Sequence, residues 1–137
     1  MDGPIRLVYV EDNPANLVLV RRILEANQLF EVVGAKNGAA GLRLIDEFHP
    51  AGLLLDLDLP GISGIDLLRH VRKDRVHSRL PVLVITASVM KRERTQAFEA
   101  GCDAFIEKPF DINHLREVVV QMCSPPVVAN RGRLMGE

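Results

Sequence analysis

Short apolar runs alternate five times with stretches of helical periodicity along this chain. Three of the runs are continuously apolar, which is typical of strands covered on both faces of a parallel sheet. The runs occupy residues 5–10, 30–35, 52–57, 81–87 and 104–107. The helical stretches occupy residues 14–27, 37–48, 63–73, 90–100 and 111–123. Five βα units in series predict an α/β fold with right-handed crossovers and a doubly wound sheet.

Residues able to cap a helix begin three of these stretches. Asn13 stands before Pro14, which suits a first helical turn, and Asn37 and Asp111 hold equivalent places in two other stretches. The last helix should face the core with Ile112, Leu115, Val119 and Met122. The fourth has only a thin apolar stripe, so we expect it to be weakly held. That stripe consists of Met90, Ala97 and Ala100.

The composition indicates one domain without a basic field for nucleic acid or anionic lipid. The 137 residues carry a formal net charge of −1, and aromatic residues make up 4% with no Trp, which disfavours base stacking. No apolar run reaches the roughly 20 residues of a membrane span, and Glu11 and Asp12 come too early for a secretion signal. We therefore expect a cytoplasmic protein with its domain at residues 1–123 and a short flexible tail at 124–137.

Polar residues follow four of the five predicted strands. Glu11 and Asp12 end the first strand, Asp56 the third and Thr86 the fourth, and Lys108 follows the fifth. Ligands of open α/β sheets bind beyond the carboxyl ends of the strands, so these side chains mark a candidate site. The four histidines lie elsewhere and are interpreted as surface or core residues.

Three carboxylates at one edge require a cation or shared protons. If strands one and three are neighbours, Glu11, Asp12 and Asp56 crowd together, and two charges about 4 Å apart repel by about 4 kcal/mol at an effective dielectric of about 20. Oxygen ligands without His or Cys favour Mg²⁺ over zinc. Lys108 and Thr86 beside such an ion would form a receptor for phosphate, bound directly or carried on Asp56. A cis bond between Lys108 and Pro109 would suit an inward-pointing lysine.

Four stretches, in this order and spacing, resemble a known family. They are VYVEDNPAN, LLLDLDLPGISG, VITAS and AFIEKPF, and the resemblance covers residues 7–122. The chain resembles the receiver domain of response regulators in two-component signalling, the CheY-like superfamily, of the single-domain type. The resemblance implies a flavodoxin-like (βα)5 fold with five parallel strands in the order 2-1-3-4-5.

The resemblance also implies the roles of the candidate residues. Asp56 would be the phosphoacceptor. Asp12 and Asp56 would bind Mg²⁺ directly, Glu11 would act through a coordinated water, and Asp58 would contribute its backbone carbonyl. One phosphoryl oxygen would be bound by Lys108.

Other residues would connect the phosphate to a change of shape. Thr86 would bind a phosphoryl oxygen and shift when the phosphate arrives. Phe105 would be its switch partner. Many receivers carry a tyrosine at that position, whereas phenylalanine here has no hydroxyl to bond a partner. Asp58 and Ser88 flank the path of attacking water in the family and would modulate the loss of the phosphate.

The implied function is a phosphorylation-activated switch that catalyses only its own phosphotransfer and dephosphorylation. A sensor histidine kinase or histidine phosphotransfer protein would be the donor, and an unknown protein, or a second copy in a phosphorylation-dependent dimer, would receive the output. Three alternatives stay open: a phosphatase using the Asp56–Asp58 pair, a Toprim nucleic-acid enzyme, and a receiver-like docking module without phosphorylation. The position of DLD on the third strand, the absence of a basic patch and the retention of all five site groups argue against them in turn.

Overall fold

A computed structural model describes residues 3–87 and 90–123 of the chain. The strands are β1 (Ile5–Val10), β2 (Phe30–Ala35), β3 (Gly52–Leu55), β4 (Val82–Thr86) and β5 (Ala104–Glu107). The helices are α1 (Pro14–Glu25), α2 (Gly38–Phe48), α3 (Gly64–Lys73), α4 (Lys91–Ala100) and α5 (Ile112–Cys123). All strand pairs are parallel, in the order β2-β1-β3-β4-β5, which confirms the predicted fold and strand order. Ser88 and the predicted tail at 124–137 lie outside the described residues.

The sheet is covered on both faces, which explains the continuous apolar runs. On one face, Val8 and Val10 of β1 pack with α2, α3 and α4. On the other, Leu7 and Tyr9 of the same strand pack with α1 and α5. Successive side chains of a strand point to opposite faces, so a central strand between two helical layers must be apolar at every position. No helix in the described part of the chain has both the length and the apolar character needed to cross a bilayer.

The three predicted helix caps are confirmed. The side-chain oxygens of Asn13, Asn37 and Asp111 accept hydrogen bonds from backbone N–H groups in the first turns of α1, α2 and α5. These bonds satisfy N–H groups that have no partner within the helix. The polar caps therefore fix where each helix begins, close to the edge that carries the candidate site.

Two sequence predictions were wrong in detail. β3 ends at Leu55 instead of residue 57, because the chain leaves the sheet after the N–H of Asp56 bonds the carbonyl of Val10. Ile112 was expected to face the core, but it is 48% exposed. It begins α5 beyond the sheet edge, where it lines an open groove beside Lys108.

The thin apolar stripe predicted for α4 is confirmed in part. Ala97 is the one buried residue of the helix and Ala100 is half-buried, whereas Met90 precedes the helix and is 56% exposed.

Arg72 of α3 connects the two loops that precede β4 and β5. Its guanidinium donates two hydrogen bonds to the carbonyl of Gly101, at 2.7 and 3.0 Å, and one to Leu80, at 2.7 Å. It also pairs with Asp103 at 3.1 Å, and only 19% of its side chain is exposed. We expect Arg72→Ala to lower the free energy of unfolding by about 2–4 kcal/mol, because buried carbonyls lose a charged donor.

Chemical denaturation in urea measures this difference, and Arg69→Ala is the matched control on the same helix. Arg69 pairs with Asp66 at 3.2 Å, and both side chains are exposed. Such surface pairs contribute about 0–1 kcal/mol, so the control should stay close to the parent protein. Equal losses in the two variants would contradict a structural role for the Arg72 contacts.

Candidate functional site

Three carboxylates meet at the carboxyl edge of the sheet, as predicted. β1 and β3 are neighbours, with Val10 opposite Leu55, so the residues that follow each strand lie side by side. Glu11, Asp12 and Asp56 each offer an oxygen atom, and these atoms all lie within 4.8 Å of one another. Glu11 and Asp56 are buried, whereas Asp12 is exposed and opens the group to solvent. Negative charge is thus concentrated where one side of the site remains accessible.

The ammonium of Lys108, after β5, and the hydroxyl of Thr86, on β4, complete the group. The Lys108–Pro109 peptide bond is cis, as predicted. The Lys108 ammonium donates to Glu11 Oε1 at 2.7 Å and lies 3.4 Å from Asp56 Oδ2. Thr86 is fully buried at the end of β4, and its hydroxyl donates a hydrogen bond to the Asp56 carboxylate. All five predicted site groups are therefore brought together.

The environment of Glu11 keeps its carboxylate ionised. Burial tends to raise its pKa, but the hydrogen bond from Lys108, the N–H of Asn13 and the Lys108 charge together lower the pKa below its usual value. Oε1 accepts from the Tyr9 hydroxyl at 3.1 Å as well as from Lys108, and Oε2 accepts from Asn13 at 3.2 Å. Both oxygens are already engaged within the protein.

Tyr9 is the site residue that the sequence analysis missed. Burial, followed by the charge of Glu11, raises the pKa of its hydroxyl, so the group stays protonated and donates to Glu11. The one signal was a hydroxyl-bearing ring among the aliphatic residues Leu7, Val8 and Val10 of β1. Its side chain belongs to the α1/α5 face, which gave no reason to connect it with the carboxylates.

The pKa of Asp56 shifts in the opposite direction from that of Glu11. Burial raises its pKa, and the charge of Glu11 adds to this effect. The N–H of Asp58, 3.2 Å from Oδ1, the Lys108 charge and the Thr86 hydroxyl lower the pKa, but the net direction is upward. Ionisation of Asp56 is therefore less favourable here than in a free aspartate, and added positive charge would oppose this shift.

This shift predicts that Asp56 destabilises the fold at neutral pH when no divalent cation is present. A group with a raised folded-state pKa contributes stability at low pH that is lost as the pH rises through that pKa. Asp56→Asn removes this titration, so the variant should be more stable than the parent at pH 7 in chelator. Thermal unfolding of both proteins from acid to neutral pH measures their difference in stability, which should vanish below about pH 4. Asp66→Asn, at an exposed position, is the control, and an Asp56→Asn variant that is less stable at pH 7 would contradict the argument.

The remaining predicted residues lie around this group. Asp58 is exposed in the loop after β3, and its side chain lies outside the cluster formed by the three described carboxylates. Phe105 is half-buried on β5, with its ring centroid 6.3 Å from that of Phe98 and 5.2 Å from the Arg94 guanidinium. Ser88 falls outside the described residues.

The donor set fits a hard divalent cation. Its ligand atoms are carboxylate oxygens, and the three carboxylates exceed the one ammonium among the described residues that contact them. Oxygen donors with open solvent access are the environment in which Mg²⁺ keeps several of its waters. No imidazole or thiolate belongs to this cluster of described residues, so zinc has no preferred ligand here.

The chain is similar to known proteins over most of its length. The family model described as "Response regulator receiver domain" matches residues 7–120. The polar-differentiation response regulator DivK of Brucella ovis is 32% identical over 113 residues, which cover 82% of this chain and 91% of that protein.

Two solved structures have the same fold. A CheY-like receiver domain protein of Methanospirillum hungatei superposes with a TM-score of 0.81 at 27% identity, over 88% of this chain and 94% of that one. The receiver domain of a sensor histidine kinase from Pseudomonas aeruginosa, solved with a magnesium ion in its active-site cleft, gives a TM-score of 0.81 at 23% identity. That pair covers 88% of this chain and 98% of the other.

Proposed function

Since this chain belongs to the response regulator receiver family of two-component signalling, we propose that it is a switch activated by phosphorylation of Asp56. The observation that carries the proposal is the buried Asp56 carboxylate, bonded by Thr86, close to Lys108 and beside two further carboxylates. A sensor histidine kinase or histidine phosphotransfer protein of a phosphorelay would be the donor, in the cytoplasm. The protein would act as a catalyst only on its own phosphorylation and dephosphorylation.

The transfer is a displacement at phosphorus. An oxygen of Asp56 attacks the phosphorus of a phosphohistidine, the P–N bond breaks, and the imidazole nitrogen leaves with the bonding electrons. Lys108 Nζ, 3.4 Å from Asp56 Oδ2, would then contact a phosphoryl oxygen and stabilise its negative charge. The Thr86 hydroxyl exchanges its bond with the carboxylate for one with a phosphoryl oxygen.

The carboxylates divide into two roles. Asp12 and Asp56 would hold Mg²⁺ directly, together with the backbone carbonyl of Asp58, and the bound ion supplies positive charge to the phosphoryl oxygens. Glu11 would act through a water, which is consistent with the hydrogen bonds that both of its oxygens already accept. The magnesium in the Pseudomonas receiver is consistent with this assignment.

Return to the unphosphorylated state would occur by attack of water on the same phosphorus. The side chain of Asp58 is exposed beside Asp56, so we propose that it influences this step. Ser88 is proposed for the same role from its place in the sequence.

An apolar groove lies next to the proposed acceptor. Leu19 of α1 and Ile112 of α5 are each 48% exposed and line it together with Lys108. A donor protein must bring its phosphohistidine to this edge, so the groove is our proposed docking surface for the donor. The output would be a second protein contact, with a downstream target or with another copy of the chain.

The proposed switch joins Thr86, Phe105 and α4. α4 buries a single residue, Ala97, and Arg94 of this helix lies over the rings of both Phe98 and Phe105. Movement of Thr86 toward a phosphoryl group frees space that Phe105 can enter, and the weakly packed helix follows. Beryllofluoride, a phosphoryl mimic, should therefore shift the amide NMR signals of α4, Thr86 and Phe105 more than those of α2. Unchanged α4 signals in the saturated complex would contradict the switch.

Intact-mass spectrometry tests the function as a whole. The full chain is incubated with acetyl phosphate, once with Mg²⁺ and once with chelator, and weighed. We expect one phosphoryl group per chain in magnesium and almost none in chelator. No labelling, or equal labelling in both samples, would overturn the proposal. A chain that is not labelled at all would instead be a docking module.

A further inference from the structure

A second group of metal-binding side chains lies at the opposite edge of the sheet from Asp56. It consists of Asp46 on α2, Asp74 at the end of α3, and His77 in the following loop. These residues precede β3 and β4, whereas Asp56 follows β3. The two groups are therefore separated by the length of the sheet, and the second has no part in the proposed phosphotransfer.

The imidazole of His77 is the centre of this group. Only 8% of its side chain is exposed, although histidine is usually found nearer the surface, and its Nε2 lies 3.1 Å from Asp46 Oδ1. One ligand atom from each of Asp46, Asp74 and His77 lies within 4.8 Å of the other two. Two ligands of a tetrahedral zinc ion with bonds of about 2.0–2.1 Å are about 3.3 Å apart, so the His77–Asp46 separation already fits two ligands of one ion.

A fourth donor is close by. The ring of His49, at the left-handed residue that ends α2, has its centroid 5.3 Å from the His77 ring. His49 is exposed, so its side chain is free to turn toward an ion held by the other three. α2 and α3 both end here, and the partial negative charge of helix C-termini favours a cation.

We propose that Asp46, Asp74 and His77, with His49 as the fourth ligand, form a binding site for Zn²⁺. Imidazole nitrogen selects zinc and related transition metals over Mg²⁺, which prefers oxygen ligands alone. The ion takes the place of the hydrogen between His77 Nε2 and Asp46, and the imidazole binds through the lone pair of that nitrogen. The site would link α2 to the loop after α3, leaving the carboxylate cluster at the other edge for magnesium.

Zinc titration of the full chain by calorimetry, in buffer containing excess Mg²⁺, tests the proposal. We expect one Zn²⁺ per chain, bound at least about tenfold more weakly by His77→Gln and by Asp46→Asn, since even outer-shell partners of a metal contribute about 10–100-fold. Asp46 has 71% of its side chain exposed, so that variant should fold even if His77→Gln does not. Asp12→Asn and His70→Gln, outside the group, should leave zinc binding unchanged.

NMR provides a second readout that does not depend on activity. Zinc should shift the ring signals of His77 and His49 before those of His70 and His114. Absence of zinc binding, or binding that is equally strong in Asp46→Asn, would overturn the proposal. Zinc binding that is lost in Asp12→Asn instead would place the ion among the carboxylates at the other edge, and would also overturn it.

Discussion

Replacing Asp56 with asparagine is expected to abolish phosphorylation by acetyl phosphate. The amide has the shape of the carboxylate but lacks the nucleophilic oxygen that would form the acyl phosphate. Asp56 is the carboxylate that both Lys108 and Thr86 bond. Labelling should fall by at least about 100-fold, as for loss of a nucleophile. Intact mass after a fixed incubation in magnesium is the measurement.

Asp66→Asn is the matched control for that experiment. Asp66 lies on α3 and pairs with Arg69 at the exposed surface, so this variant should be labelled like the parent protein. Folding of both variants is compared by circular dichroism before labelling. Equal labelling of Asp56→Asn and the parent would show that another residue accepts the phosphoryl group, and the assignment of Asp56 would be wrong.

Lys108→Met is expected to have the second-largest effect. The variant keeps the length of the side chain but removes the only ammonium that contacts both Glu11 and Asp56 among the described residues. Without it, charge that develops on the phosphoryl oxygens loses a positioned cation, and the initial rate of phosphorylation should fall by about 100-fold. The pKa of Glu11 should rise as well, because the Lys108 hydrogen bond and charge are what lower it.

The rate is measured from the time course of intact mass at a fixed, high concentration of acetyl phosphate. Lys73→Met, at an exposed position in the last turn of α3, controls for the loss of one positive charge. A Lys108→Met variant that is phosphorylated at the parental rate would mean that the lysine has a structural role, through Glu11, and no role in transfer.

The sequence predicted the sheet well because its central strands are covered on both faces. In β1, four residues in succession are buried, and such continuous runs locate a strand within one or two residues. Strand ends were less certain, since β3 leaves the sheet at Asp56 while the apolar run continues to Leu57. The order of the strands came from the family resemblance and not from the pattern.

The candidate site was predictable because its residues follow strands that end at one edge. The contacts that the sequence did not predict depend on where individual side chains reach in the folded protein. Tyr9 was missed because its ring belongs to one face while its hydroxyl reaches Glu11. The contact between His77 and Asp46 joins residues 31 positions apart, on elements whose proximity no periodicity reveals.

Calorimetric titration of magnesium into the full chain tests the proposed site most directly, because the proposed phosphotransfer to Asp56 requires a cation among Glu11, Asp12 and Asp56. We predict one Mg²⁺ bound per chain near neutral pH, with binding greatly weakened in Asp12→Asn and retained in Asp66→Asn. If magnesium does not bind, or binds the Asp12→Asn variant as tightly as the parent, the carboxylate cluster is not a metal site and the proposed mechanism is contradicted.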